Sequence, residues 1–205
     1  MHIVCLDLEG VLVPEIWIAF AESTGIDELR LTTRDISDYD VLMRKRLRIL
    51  EERELRLADI QRVIGTLDPL PGASEFLARL RELTQVIILS DTFVEFAKPL
   101  MEKLAWPSLF CNSLVTSPDG TITDYRLRQK EGKKRAVEAL QSLGFSVIAA
   151  GDSYNDVSML SQAETGILFR APETILREFP DFASTTTHSE LFERIASEVA
   201  PEPAR

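Results

Sequence analysis

The chain has 205 residues, 45% of them hydrophobic, and a formal net charge of −10. That length suits one domain, or a core domain carrying a smaller insert, and the apolar content excludes a disordered chain. The charge argues against a nucleic-acid partner, whose phosphates reward clustered Lys and Arg, and no run approaches the roughly 18 apolar residues needed to span a membrane.

Residues 3–8 read as a buried strand. The stretch lacks the basic flank and small-residue cleavage site of a signal peptide, so the cytoplasm is the expected location and no membrane is expected as a partner. Residues 14–67 follow with helical periodicity and no convincing strand. They include Arg44-Lys45-Arg46-Leu47-Arg48, with Glu51, Glu52 and Glu54 close behind, a pattern that mostly describes a solvated helix face. After 69–72 the pattern changes to a helix over 74–83, an apolar strand over 86–89 and a helix over 93–104. A short strand at 109–111 precedes a hairpin over 114–127 that turns at Pro118-Asp119-Gly120. The helix over 131–143 is stopped by Gly144. A strand at 147–150, a helix start at 155–161 and a strand at 166–168 come next, then helices near 173–178 and 189–199. Pro201-Glu202-Pro203 forms a frayed tail. Cys5 and Cys111 sit in apolar strand-like contexts and read as reduced core residues. Two isolated histidines without paired Cys/His spacing do not make a zinc site.

Strands alternating with helices predict an α/β fold, a Rossmann-like parallel sheet with helices on both faces. Residues 1–13 and 69–205 make the core, and 14–68 a helical cap inserted after the first strand. In such sheets the chemistry lies outside the carboxyl ends of the strands, so the residues immediately past each strand are the candidates for it.

Asp7-Leu8-Glu9-Gly10-Val11 closes the first strand. Carboxylates at i and i+2 beside a glycine repel each other unless a cation or proton compensates, although solvated loop acids are common. Ser90-Asp91-Thr92 stands between a strand and a helix, as a phosphate cradle or as an N-cap. Gly151-Asp152-Ser153-Tyr154-Asn155-Asp156 comes after the strand at 147–150. Two carboxylates and an amide are the hard oxygen ligands Mg²⁺ prefers, where a helix start alone needs one acid. On the helix over 131–143, Ala136, Val137 and Leu140 mark the inward face. Lys133, three and four residues before the first two, shares it; Lys134 and Lys130 are less favourably placed. A nucleophile, an acid/base, an anion cradle, a cationic clamp and a metal site are the parts phosphoryl transfer needs.

With these segments in this order, the chain resembles the haloacid dehalogenase superfamily, specifically its phosphoserine phosphatase-like branch, over essentially its whole length. Asp7-Leu8-Glu9-Gly10-Val11 matches the first motif, Ser90 the second, Lys133 the third and the run from Gly151 to Asp156 the fourth. Leu70-Pro71-Gly72, re-entering the core before a helix, also looks typical. The resemblance implies that Asp7 attacks phosphorus to form an aspartyl-phosphate, and that Glu9 protonates the leaving oxygen and then deprotonates the acceptor. It implies Mg²⁺ held by Asp7, the Glu9 main-chain carbonyl and Asp152, with Asp156 in support, and a phosphate held by Ser90, Lys133 and Asn155. Two positions depart from the pattern. Glu9 stands where most family phosphatases have Asp, an exchange resembling the bacterial enzymes that both hydrolyse phosphoserine and pass its phosphate to homoserine, in serine and threonine biosynthesis. Asp91, among the substrate-facing positions, stands where the branch usually has glycine, which changes the phosphate loop.

Within the cap, Arg46 has Leu42, Met43, Ile49 and Leu50 at i−4, i−3, i+3 and i+4, all apolar. A guanidinium in that setting needs an anion, either a substrate carboxylate clamped bidentately or an internal Glu or Asp. Arg44 and Arg48 lack this setting. Glu15 follows Pro14 at the start of the first cap helix, where an acid is ordinary. The branch uses a Glu and an Arg at corresponding cap positions, which implies Glu15 for a substrate ammonium and Arg46 for its carboxylate. The expected partners are therefore small molecules: phosphoserine, homoserine and water. Two other readings stand beside this one: a Mg²⁺-dependent phosphatase for another small phosphate ester, and a binding module without chemistry, against which Asp7 and Asp152 both speak. Nothing in the sequence bears on oligomeric state.

Overall fold

The computed structural model of the chain describes residues 1–33, 35–36 and 38–199, so the tail expected at Pro201-Glu202-Pro203 lies outside the described residues. Seven strands form one sheet: β1 (His2–Leu6), β2 (Gln85–Phe93), β3 (Ser108–Thr116), β4 (Ile122–Arg126), β5 (Ser146–Gly151), β6 (Thr165–Phe169) and β7 (Ala183–Thr185). Their spatial order is β4-β3-β2-β1-β5-β6-β7, all parallel except β4, which runs antiparallel to β3. β1 therefore lies between β2 and β5. The chain leaves it on one side and returns on the other, and such a switch point opens a crevice at the carboxyl ends.

Among the described residues between β1 and β2, an isolated bridge joins Glu9 to Val13 and the longer elements are helical: α1 (Ile16–Thr24), a 3₁₀ turn (Asp27–Arg30), α2 (Tyr39–Glu52), α3 (Leu57–Thr66) and α4 (Ala73–Leu83). The remaining helices are α5 (Val94–Lys103), α6 (Gly132–Ser142), α7 (Val157–Gln162), α8 (Glu173–Glu178) and α9 (His188–Val199). The strand sequences show why the helices take both faces. In β5, Ile148 and Ala150 join an apolar cluster with α4, α5 and α9, while Val147 and Ala149 join a second one with α6, α7 and α8. A strand buried on both sides reads as a continuous apolar run, as this one does. The first cluster extends without a break into the insert, through Ile16, Trp17 and Phe20 of α1, Met43 and Leu50 of α2, and Ile60 and Ile64 of α3. Trp17 packs edge-on against Phe96 of α5 at 5.6 Å, and Phe96 against Phe93 at 5.5 Å, so the insert rests on the sheet through aromatic edges. α2 is capped by Asp38, whose carboxylate accepts from the Val41 N–H at 3.1 Å.

Four details differ from the sequence reading. β3 is one continuous strand of nine residues rather than a short strand followed by a separate hairpin arm. β7 was not foreseen; its three residues are too few for a period to declare itself. The extended backbone of β2 runs on through Ser90-Asp91-Thr92 to Phe93, so these residues are not an N-cap. The β2–β3 register slips between Leu89 and Phe93, which lets this stretch bulge toward the crevice before α5 begins. Cys5 is wholly buried, whereas Cys111 is partly exposed; both thiols are free. No described helix is long and apolar enough to cross a membrane.

Candidate active site

The floor of the crevice is a buried ion cluster. Asp7, the first residue beyond β1, is 4% exposed, and its Oδ1 accepts the Leu8 N–H at 2.7 Å. Lys133, in the first turn of α6, reaches it with Nζ 2.9 Å from Asp7 Oδ1 and 2.7 Å from Asp156 Oδ1. Asp156 is fully buried, and its Oδ2 accepts from the N–H groups of Asp152 and Ser153 at 3.0 and 3.2 Å. It thereby shapes the loop that presents Asp152. Burial and the neighbouring Asp156 and Asp152 hold the Asp7 carboxyl well above the usual range, against the pull of Lys133. Burial pulls the Lys133 pKa down, but Asp156, Asp7 and Asp91 outweigh it and leave the ammonium raised above its ordinary value. Gly10 is required here for space as well as for its φ of +78°: a Cβ would lie 2.4 Å from Asp152 Oδ2.

One wall comes from the bulged end of β2. The Ser90 hydroxyl is buried and accepts the Thr92 N–H at 3.2 Å. The Asp91 carboxylate accepts from Asn155 Nδ2 at 3.0 Å and lies 3.9 Å from Lys133 Nζ. Its carbonyl is gripped by the Tyr39 hydroxyl at 3.2 Å and by Asn112 Nδ2 at 3.1 Å. Asp91 thus braces Asn155 beside the lysine, a role glycine at this position could not fill.

The opposite wall belongs to the insert. Glu9 projects upward, and its Oε2 accepts the Ile16 N–H at 2.9 Å in the first turn of α1. Burial and the facing Glu15 raise its pKa to about 7, against the stabilising Ile16 N–H, Arg46 and the Thr92 hydroxyl. A carboxyl poised near neutrality can give a proton and take one back. Arg46 is 7% exposed, with its guanidinium 4.5 Å above the Trp17 ring. Its nitrogens reach the Leu31 carbonyl at 2.8 Å and the Met43 sulfur at 3.7 Å, while Nε is buried with no partner. Burial lowers its pKa to about 10, opposed by Tyr39, Glu9 and Glu15. Arg44, two residues away, is exposed and paired with Asp40 and Asp124.

All the foreseen side chains except Asp156 line one cleft of about 100 Å³; Asp156 lies beneath it, under Lys133. Tyr39, Trp17 and Thr92 also line the cleft and were not singled out from the sequence. Thr92 stood in the Ser-Asp-Thr run, a signal that could have found it. Tyr39 and Trp17 carried none beyond their place on amphipathic helices.

The donor set suits a hard divalent cation. Asp7, Asp152 and Asp156 bring one carboxylate oxygen each to within 4.8 Å of one another, and among the described residues no such cluster includes His or Cys. Lys133 pairs with two of the three carboxylates, Asp7 and Asp156, and a divalent cation is the kind of charge such a cluster would hold. Both Asp156 oxygens are already engaged, which points to Asp7 and Asp152 as the side chains that would reach the ion.

Known proteins resemble the chain in sequence and in fold. The model of one family, haloacid dehalogenase-like hydrolase, matches residues 1–164. A phosphoserine phosphatase ThrH of Pseudomonas aeruginosa is 61% identical over 191 residues, covering 93% of each chain. A phosphoserine phosphatase of Pseudomonas syringae pv. tomato is 60% identical, over 93% of this chain and 81% of its own length. Among solved structures, a phosphoserine phosphatase in apo form superposes with a TM-score of 0.77 at 24% identity, over 94% of this chain and 98% of its own. A phospho-aspartyl intermediate analogue of a phosphoserine phosphatase gives 0.76 at 23% identity, over 95% and 98%. At that identity the two structures speak to the fold.

The contact between Gly10 and Asp152 can be tested directly. Gly10→Ala forces a Cβ into the Asp152 carboxylate and costs about 1–2 kcal/mol for the left-handed backbone. The expected result is a folded protein by circular dichroism, a Tm lower by roughly 2–4 °C per kcal/mol, and a divalent cation bound about 10–100-fold more weakly by titration calorimetry.

Proposed function

Because the chain belongs to the haloacid dehalogenase-like hydrolase family, we propose that it is a Mg²⁺-dependent phosphomonoester hydrolase that takes the phosphoryl group from phosphoserine and passes it to water or to homoserine. The observation that carries the chemistry is Asp7 itself. It is buried at the end of the central strand with Lys133 Nζ at 2.9 Å and two further aspartates at its side. The substrate reading is supported by the 61% identity to a phosphoserine phosphatase ThrH and by the buried, unpartnered Nε of Arg46, which lines the same cleft as Glu15.

In this reading the Asp7 carboxylate attacks phosphorus, the bond from phosphorus to the serine oxygen breaks, and Glu9 delivers a proton to that oxygen as it leaves. Glu9 then removes a proton from the hydroxyl of the acceptor, which attacks the aspartyl-phosphate and frees Asp7. Lys133 and the Ser90 hydroxyl hold the phosphoryl oxygens in line, with Asn155 braced beside them by Asp91. Mg²⁺, held by Asp7, the Glu9 main-chain carbonyl and Asp152 with Asp156 in support, would supply compensating charge at the phosphoryl oxygens. Glu15 receives the ammonium of the amino acid and Arg46 its carboxylate, which satisfies the orphaned Nε. Residues 14–68 act as a cap that closes over residues 1–13 and 69–205. A small metabolite enzyme of this kind works in the cytoplasm.

Incubation with phosphoserine and Mg²⁺, with and without homoserine, tests the whole reading: inorganic phosphate is expected in both and phosphohomoserine in the second. Release of phosphate from other esters but not from phosphoserine would move the assignment to another small phosphate ester. Asp7→Asn is expected to fold and lose turnover by at least about three orders of magnitude, since no covalent intermediate forms. EDTA is expected to abolish activity and Mg²⁺ to restore it; full activity in exhaustively chelated protein would exclude the metal.

Arg46→Ala is expected to lower kcat/KM for phosphoserine by about 2–4 kcal/mol, and to affect a phosphate ester lacking the carboxylate far less. Equal losses on both substrates would make Arg46 a packing residue over Trp17. Glu9→Asp shortens the acid by one methylene and should release the Ile16 N–H that Glu9 now holds at 2.9 Å. A base placed for an anchored alcohol serves a free water less well, so this variant should raise the ratio of phosphate to phosphohomoserine. An unchanged ratio would assign acceptor choice to the insert.

A further inference from the structure

The last helix carries a buried imidazole that meets both passages of the chain between sheet and insert. His188 opens α9 with its ring between Phe76 of α4, 5.3 Å away, and Phe169 of β6, 4.8 Å away. Its Nε2 lies 2.8 Å from the carbonyl oxygen of Val11, and its Nδ1 lies 3.1 Å from that of Pro71. Val11 belongs to the turn by which the chain leaves β1. Pro71 belongs to the segment by which it returns ahead of α4. The two passages also meet directly, since the Leu70 N–H donates to the Leu12 carbonyl at 2.9 Å.

The departing turn is the one that carries Glu9. The Leu12 and Val13 N–H groups donate to the Leu8 carbonyl at 2.8 and 3.0 Å, and the Gly10 N–H donates to the Val13 carbonyl at 2.8 Å. These bonds close residues 8–13 into a compact loop, and the Val11 carbonyl is its tie to α9. An imidazole donates from one nitrogen when neutral and from both when doubly protonated, and each nitrogen here faces an acceptor. No step of the phosphoryl transfer uses this ring, yet it is packed between two aromatic side chains at the root of the insert.

We propose that His188 is a positioning residue for the site. Its Nε2 contact fixes the turn that presents Glu9, and its Nδ1 contact fixes the returning passage, so one ring seats the insert against the sheet. The kinetic consequence rests on Glu9 acting as the acid/base of the proposed function; the structural one does not.

Side-chain amides separate the two contacts. Asn places its amide where Nδ1 stands and keeps the Pro71 tie; Gln reaches where Nε2 stands and keeps the Val11 tie; Leu retains apolar packing and gives up both. Hydrogen exchange on the free protein is expected to quicken at the amides of residues 12 and 13 in His188→Asn and His188→Leu. It should quicken at residues 70 and 73 in His188→Gln and His188→Leu. With phosphoserine and Mg²⁺, His188→Asn and His188→Leu are expected to lower kcat about tenfold, the scale of one buried hydrogen bond lost from a positioned acid/base. KM should stay within about twofold, and His188→Gln should restore kcat to within about twofold of the wild type. Wild-type exchange at both passages in folded variants would overturn the proposal, as would a lowered Tm with kcat unchanged in all three. If the wild type does not turn over phosphoserine, the substrate reading has failed, and the exchange pattern alone decides on His188.

Discussion

Lys133 is the charge around which the carboxyl end of the sheet is arranged. Its side chain is 5% exposed, and its ammonium pairs with Asp7 and Asp156, whose side chains are 6% and 0% exposed. Taking such a group out of water is costly, and removing one partner from a buried pair destabilises a protein by about 3–5 kcal/mol. The arrangement persists because each charge is held from several sides: Asp156 by loop N–H groups, Asp7 by the Leu8 N–H, and the lysine by both carboxylates. Burial first, then the neighbouring Asp156 and Asp152, raise Asp7, and a divalent cation would relieve the carboxylate repulsion. On the proposed reading the same ion cluster would also be the electrostatic basis of the chemistry.

The insert extends that logic to recognition. Arg46 can be buried without a full set of acceptors because its plane lies on Trp17, which is itself seated on Phe96 and Phe93. A guanidinium is weakly hydrated and stacks on aromatic faces, so it tolerates a site that would be prohibitive for lysine. The cost shows in its lowered pKa and unpartnered Nε, and binding an anion would recover it. The aromatic edges that carry the guanidinium thus run from Trp17 of the insert to Phe96 of α5 in the sheet layer.

Much of this was legible in the sequence because its signals were local. Strands buried on both faces are written as apolar runs, so the sheet could be ordered along the chain, and Lys133 shared a helix face with Ala136, Val137 and Leu140, all of them buried. Arg46 declared itself by a wholly apolar set of helical neighbours, and it is buried. The information that was missing is non-local. The slip in register that keeps Ser90-Asp91-Thr92 extended depends on β3, which lies beyond α5. Tyr39 closes on Asp91 across a gap of 52 residues, and His188 meets Val11 across 177; no periodicity encodes either contact. Asp91 looked like a disturbance of the phosphate loop when judged against a glycine, whereas its carboxylate is the acceptor that braces Asn155.

Glu9 is where the ion cluster and the insert meet. The residue leaves the sheet beside Asp7, yet its carboxylate accepts from the first turn of α1 and from Thr92. Its position is thus set by the insert as much as by the strand beneath it. Glu15, one residue before α1 begins, repels it, and Arg46 attracts it. On the proposed reading, a ligand that brings an ammonium to Glu15 and a carboxylate to Arg46 would relieve the first interaction and complete the second, around a Glu9 that the Ile16 N–H already holds. Water brings neither group. On the proposed reading, an acid/base suspended between two layers in this way would be best aligned when a zwitterionic molecule fills the cleft, and the choice of reaction partner would then rest on the same residues that recognise the donor.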